Sequence, residues 1–131
     1  IAHGLGYGDN FQSVLMSNAT REMKRFIKSV HKMKRNINET VYLGDLLVTG
    51  YSVFSRNRMF GNMIGKGYTV KSAQMEMSMI AEGFYATKSA FLINQESNTP
   101  SKAPIINTVY EILYLHKNPK DSFNKLTEKL C

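Results

Sequence analysis

Apolar residues recur at intervals of three and four along most of the chain, and this spacing is what most limits the folds available to it. Such intervals place apolar side chains on one face of an α-helix, whereas a half-buried strand alternates at every second residue. No segment of the sequence sustains that alternation. A length of 131 residues suits one ordinary hydrophobic core. The sequence therefore predicts an all-α fold, with residues 1–131 forming one helical domain.

Capping residues mark where the first predicted helices begin. Asp9, with Gln12 three positions later, predicts the start of a long helix whose second half is rich in lysine and arginine. Ser55 and Thr69 are suited to cap two further helices. The helix that follows Thr69 is expected to continue as far as Ile80.

The second half of the chain shows clearer breaks. Glu82-Gly83 predicts a joint between helices, and Pro104 and Asn118-Pro119 predict the first turns of the last two. Adaptable packing in the core is the expected role of three methionines: Met75, Met77 and Met79.

The balance of charge favours an anionic partner. Lysine and arginine number 17 against 10 aspartates and glutamates, which gives a formal net charge of +7. The basic residues between Arg21 and Arg35 could contact nucleic acid or a membrane, or could form a solvated face or a surface turned toward another domain. A solvated face or a surface turned toward another domain is favoured, because no aromatic side chains are interleaved with these charges to stack on bases.

Several classes of protein are disfavoured by simple counts. The three histidines are far apart in sequence and Cys131 is the only cysteine, so we expect no metal site and no internal disulfide. A lone cysteine agrees with a reducing, cytoplasmic location. No apolar run is long enough to span a bilayer. The opening Ile-Ala-His-Gly resembles neither a natural N-terminus nor a signal peptide, so a fragment of a longer protein is expected.

Polar groups are most concentrated between Leu43 and Arg58. This stretch carries a carboxylate at Asp45, a hydroxyl at Thr49 and then Ser55-Arg56-Asn57-Arg58 at a predicted helix start. The planar fork of an arginine fits phosphate oxygens, and a helix N-terminus adds free amides and partial positive charge. The stretch is therefore a candidate anion site, although the same residues are compatible with a helix cap followed by two solvent-facing arginines.

Several separated motifs together resemble one enzyme family. In order along the chain they are Gly4-Leu5-Gly6-Tyr7-Gly8-Asp9-Asn10, Leu43-Gly44-Asp45-Leu46, Ser55-Arg56-Asn57-Arg58-Met59-Phe60-Gly61, Ala81-Glu82-Gly83 and Ala103-Pro104-Ile105. The chain resembles the C-terminal domain of NAD(P)-dependent glycerol-3-phosphate dehydrogenase of the bacterial type. The resemblance covers essentially the whole chain.

The resemblance implies a fold and an activity. It implies the multi-helix substrate domain of the glycerol-3-phosphate and 6-phosphogluconate dehydrogenase type, which follows an N-terminal Rossmann domain, with NAD or NADP bound between the two. Such an enzyme interconverts sn-glycerol 3-phosphate and dihydroxyacetone phosphate, commonly for phospholipid synthesis. A homodimer is also implied, and no nucleic-acid partner. The alternative that composition leaves open is a basic helical module that binds nucleic acid or another protein.

Roles for individual residues follow only from the resemblance. It implies that Ser55, Arg56 and Asn57 bind the substrate phosphate, that Arg56 also reaches the cofactor, and that Ile80 and Glu82 touch the cofactor. Asp45 and Thr49 would lie at the reacting end as catalytic residues, with Asp45 also contacting the substrate. Taken alone, Asp45 is compatible with a helix cap, Thr49 with a hydroxyl on a helix face, and Glu82 with a solvated charge.

Two features of the family are missing from the sequence. The family's general base is a lysine in a Lys-Asn pair that would lie just upstream of Ile1, and no Gly-x-Gly-x-x-Gly turn follows a strand pattern. Tyr42 and Gly50 also stand where the family often has Gly and Cys. The expectation from sequence is that this chain, without its Rossmann domain and lysine, is inactive alone.

Overall fold

All regular elements in the described parts of the protein are α-helices. The computed structural model describes residues 1–31, 55–96 and 102–130. Within these ranges the helices are α1 (Asp9–His31), α2 (Arg56–Gly65), α3 (Val70–Glu76), α4 (Glu82–Glu96), α5 (Pro104–Tyr114) and α6 (Pro119–Thr127). This confirms the predicted all-α fold. Over the same ranges, no helix is both long enough and apolar enough to cross a membrane.

Short-range capping signals place three helix starts correctly. The Ser55 hydroxyl accepts from Arg58 N at 3.3 Å. The Thr69 hydroxyl accepts from Ser72 N at 3.1 Å. The Asn118 side chain accepts from the amide of Asp121 at 3.0 Å. Prolines 104 and 119 open α5 and α6 as predicted. The Ser55, Thr69 and Asn118 side chains each satisfy an amide that has no partner within its own helix.

The predicted extent of α3 is wrong. The helix ends at Glu76, and Met77 adopts an extended conformation with φ −89° and ψ 130°. Leaving the helical path allows the chain to bury Ala81, which is 6% exposed, whereas Ile80 is 63% exposed. The core roles expected of two methionines are also wrong, since Met75, on the solvent face of α3, is 77% exposed and Met79, beyond the helix, is 59% exposed. Of these three methionines, only Met77 is among the side chains that pack against the core.

The hydrophobic core lies between α2, α3, α5 and α6. Its buried side chains include Phe60 and Ile64 from α2, Ile112 and Leu113 from α5, and Leu126 from α6. Helix α1 adds half-buried apolar side chains at its first turns rather than entering the centre. The apolar side chains of α5 are thus packed against on two sides, by α4 and by α6.

Helices α4 and α5 form an antiparallel pair held together by aromatic rings. Phe91 stacks on Tyr110 with ring centroids 3.8 Å apart, and Phe84 stacks on Tyr114 at 4.6 Å. The Tyr114 hydroxyl also donates to the carbonyl of Phe84 at 2.6 Å. The C-terminal end of α5 therefore lies beside the N-terminal end of α4.

A buried carboxylate joins α1 to α5. Glu22 is 3% exposed, and its two oxygens accept from the backbone amides of Ile105 and Ile106, each at 2.8 Å. Ala103, at the N-cap of α5, supplies no side-chain cap. Glu22 thus performs across the fold the capping that α5 does not obtain locally. The negative charge also suits the positive end of the helix dipole.

The opening turn requires close backbone approach to α2. Gly4 and Gly65 face each other so closely that a Cβ atom at Gly4 would lie 3.0 Å from Gly65 Cα and would also collide with the carbonyl of Asn62. Side chains hold the same contact, because His3 Nδ1 lies 2.9 Å from Asn62 Oδ1. The glycine-rich opening is explained by this packing.

Replacing Glu22 by alanine is expected to lower the free energy of unfolding by about 2–4 kcal/mol, because the backbone amides of Ile105 and Ile106 lose their acceptor. Urea denaturation of the chain measures this change. Glu76→Ala, which removes an exposed carboxylate at the end of α3, is the matched control and is expected to change stability by less than about 0.5 kcal/mol. Equal effects of the two substitutions would contradict the capping role.

The stability contributed by Glu22 is also expected to depend on pH. Burial raises the pKa of the Glu22 carboxyl above its ordinary value, against the opposing effects of the two backbone amides and Arg25. Folding then takes up a proton between the ordinary and the raised pKa, so the free energy of unfolding falls as pH rises through that interval. Urea denaturation of the native chain and of Glu22→Gln from about pH 4 upward measures this slope, which the variant is expected to lack.

Candidate functional site

The N-termini of α2 and α4 meet, and one side chain joins them. Asn57, in the first turn of α2, accepts through Oδ1 from the backbone amide of Gly83 in the first turn of α4 at 2.9 Å. A backbone N–H can only donate, so its partner must be the amide oxygen rather than the nitrogen of Asn57. The hydrogen bond therefore fixes which end of the carboxamide faces α4.

Gly83 permits this contact because it has no side chain. A Cβ atom at Gly83 would lie 2.8 Å from Asn57 Oδ1 and 3.0 Å from its Cγ, so Asn57 would have to move. Sequence reasoning treated Gly83 as a joint between helices and missed its role beside Asn57. The available signal was the glycine of the Ala81-Glu82-Gly83 motif at that predicted joint.

An open pocket of about 280 Å³ lies at this junction. Its lining residues are Ser55, Arg56, Asn57, Ile80 and Glu82. These are all of the site residues predicted from the sequence that fall within the described parts of the chain. Asp45 and Thr49 lie outside the described residues, so the structure does not place them.

The chemistry of this pocket suits an anion with neutral polar groups attached. Arg56 is exposed and offers a guanidinium fork, and the Asn57 amide nitrogen adds neutral donors while its oxygen is held by Gly83. Two helix N-termini add partial positive charge. Glu82 contributes one carboxylate at the first position of α4, which can accept from a hydroxyl or an amide.

A second, more apolar pocket of about 270 Å³ adjoins the first. The two share Ile80, and the second is lined by side chains that include Phe60, Met77, Phe84 and Tyr85. Tyr85 and Ile80 are large apolar residues that remain exposed there. The polar pocket therefore has an apolar border.

Among the described residues that line the polar pocket, Glu82 is the one carboxylate. No lysine or histidine is among its lining residues in the described ranges. Within those same ranges, no group of three or more His, Cys, Asp or Glu side chains could hold a metal ion. The described lining residues can therefore bind and orient a ligand.

Known proteins resemble this chain in sequence. A glycerol-3-phosphate dehydrogenase [NAD(P)+] of Haemophilus ducreyi is 33% identical over 129 residues, which cover 98% of this chain and 38% of the relative. Another of the same name from Thermoanaerobacter sp. is 36% identical over 126 residues, which cover 96% of this chain and 38% of the relative.

The fold is also similar to a solved structure. The crystal structure of glycerol-3-phosphate dehydrogenase from Coxiella burnetii matches with a TM-score of 0.85 and 29% identity, over 97% of this chain and 38% of that one. The chain thus spans somewhat more than a third of the length of these proteins. None of these matches supports the alternative of a nucleic-acid-binding module.

Family membership rests on nearly the whole sequence. Residues 1–124 match the family described as NAD-dependent glycerol-3-phosphate dehydrogenase C-terminus. The sequence relatives carry the corresponding name and are matched over almost all of this chain. The chain therefore belongs to the NAD-dependent glycerol-3-phosphate dehydrogenase C-terminus family.

Proposed function

We propose that this chain is the substrate-side domain of an oxidoreductase that interconverts sn-glycerol 3-phosphate and dihydroxyacetone phosphate with NAD or NADP. The observation that carries the proposal is the junction of α2 and α4, where Arg56 and Asn57 line one pocket with Ile80 and Glu82. The names of the relatives supply the substrate and the cofactor class. Supply of a phospholipid precursor is the proposed metabolic role.

Phosphate binding is the role we assign to Arg56 and Asn57. The guanidinium can hold two phosphate oxygens, and the Asn57 amide nitrogen can donate to a third. Ser55, whose hydroxyl caps α2, keeps this turn in place beside them. Fixing the phosphate fixes the distance from it to the reacting carbon, which is how a binding domain contributes to rate.

Contact with the cofactor is the role we assign to Ile80 and Glu82, together with Arg56. These three residues line one pocket. Arg56 suits a phosphate of a nicotinamide dinucleotide, Glu82 suits a hydroxyl or amide, and Ile80 suits a ring. The bound nicotinamide would accept or supply the hydride. A Rossmann domain outside residues 1–131 would provide most of its binding site.

The reacting end of the substrate requires a base at its hydroxyl, since hydride leaves carbon only as that hydroxyl loses its proton. We assign Asp45 and Thr49 to this end, with a lysine outside this chain as the general base. Their part is to orient the substrate hydroxyls and to balance charge near that lysine.

The exposed apolar border of the site fits a covered surface. Met79, Ile80 and Tyr85 are each more than half exposed beside the polar pocket. Packing of the cofactor domain or a second subunit of a homodimer over this border would remove those side chains from water. A cytoplasmic location completes the proposal.

Replacing Arg56 by alanine in the full-length protein is expected to raise the KM for dihydroxyacetone phosphate by about 10- to 100-fold, because a charge-assisted pair of hydrogen bonds is lost. Oxidation of NADH or NADPH, followed by absorbance, measures it. Lys71→Ala removes an exposed cation from α3 and is expected to leave the KM unchanged. An unchanged kcat/KM in Arg56→Ala would contradict the assigned role.

Replacing Gly83 by alanine is expected to raise the same KM on the order of 10-fold, because the new Cβ displaces the Asn57 carboxamide. Gly8→Ala is the matched control, since a Cβ there meets nothing within 4 Å and the backbone is not left-handed.

The Gly83 and Asn57 substitutions are expected to be non-additive. In an Asn57→Ala background there is no carboxamide to displace, so Gly83→Ala should have little further effect on KM. Full additivity of the two changes would show that Gly83 acts independently of Asn57.

A further inference from the structure

A groove with four cations lies between α1, the start of α5 and the residues after α6. It has a volume of about 580 Å³, and its charged lining residues are Arg21, Glu22, Arg25, Lys102 and Lys129. This is within the size range of small-molecule sites. The function proposed for the junction of α2 and α4 makes no use of it.

The groove lies far from that junction. Tyr114, at the last turn of α5, bonds to the start of α4. Ala103 and Pro104, at the opposite end of α5, line the groove. Helix α5 is 11 residues long, so the two ends are about 16 Å apart along its axis. The groove is therefore a separate surface from the candidate site.

The groove carries four cations and one acid, so its formal charge is positive. Glu22 directs both oxygens at the amides of Ile105 and Ile106, and its charge also interacts with Arg25. Arg21, Arg25, Lys102 and Lys129 are exposed. Four positive side chains thus face solvent around a carboxylate that is already engaged.

The positions of two of these cations on α1 carry an energetic cost. Arg21 and Arg25 are four residues apart and so lie on the same face of the helix, where like charges repel. The Arg25 guanidinium also donates to the carbonyl of Lys102 at 3.3 Å, which holds it at the edge of the groove. A bound anion would relieve the repulsion and use donors already in place.

We propose that this groove binds a small anion bearing two or more phosphate groups. Several cations spaced around one concave surface suit a compact polyvalent anion better than a single phosphate. A nucleic acid is a poorer fit because none of the described residues that line the groove is aromatic, so bases would have no ring to stack on. The proposal is independent of the function assigned to the pocket at Arg56.

Pyrophosphate is the probe, titrated into the full-length protein by calorimetry. All measurements use an Arg56→Gln background, so that the pocket between α2 and α4 does not contribute. The Arg25→Gln/Lys129→Gln pair is expected to weaken binding about tenfold or more, because two of the four cations are lost. The control pair Lys71→Gln/Lys120→Gln removes the same charge from exposed positions outside the groove and is expected to change the dissociation constant less than about twofold.

Three results would overturn the proposal. Equal weakening by the two pairs would show only a diffuse ionic attraction. Tighter binding of duplex DNA than of pyrophosphate, lost in the Arg25→Gln/Lys129→Gln pair, would assign the groove to nucleic acid. Binding to vesicles of an anionic phospholipid without binding to pyrophosphate would assign it to a lipid surface.

Discussion

The first amides of a helix have no acceptors within the helix, and in the parts of the chain that the structure describes, two helices obtain an acceptor from a side chain of another helix. Both oxygens of Glu22 in α1 accept from amides of α5, and the amide oxygen of Asn57 in α2 accepts from an amide of α4. In both cases the residue that satisfies the helix is also a tertiary contact. The relative placement of four helices is therefore tied to hydrogen bonds that a helix would need in any fold.

How well the structure could be predicted depends on the distance in sequence between partners. Ser55, Thr69 and Asn118 cap amides three residues ahead, and their helices begin where the sequence predicts. Glu22 bonds to Ile105, which is 83 positions further along the chain, and Asn57 bonds to Gly83, which is 26 positions further. No local sequence pattern reveals such pairs. The end of α3 was missed because helical spacing through Ile80 does not reveal the extended conformation that the chain adopts at Met77.

The candidate site shows the same division. Local chemistry alone marked Ser55-Arg56-Asn57 as either an anion site or a helix cap, and the structure shows that Ser55 does cap the helix. The motifs of the family, rather than periodicity, predicted that Ile80 and Glu82 belong with these residues, and they do line one pocket. The contact of Gly83 with Asn57 could be found only from the structure, because it depends on the space between them being too small for a Cβ atom at Gly83. Asp45 and Thr49 lie outside the described residues.

The Asn57 side chain has two ends with separate duties, and this affects how the site can change in evolution. Its oxygen is occupied by the amide of Gly83, whereas its nitrogen is the end available to a ligand. Aspartate caps helices as well as asparagine does, so it would preserve the acceptor for α4 while turning a donor into a negative charge. The hydrogen bond to Gly83 does not distinguish the two residues at this position, so a requirement for the nitrogen would come from the ligand.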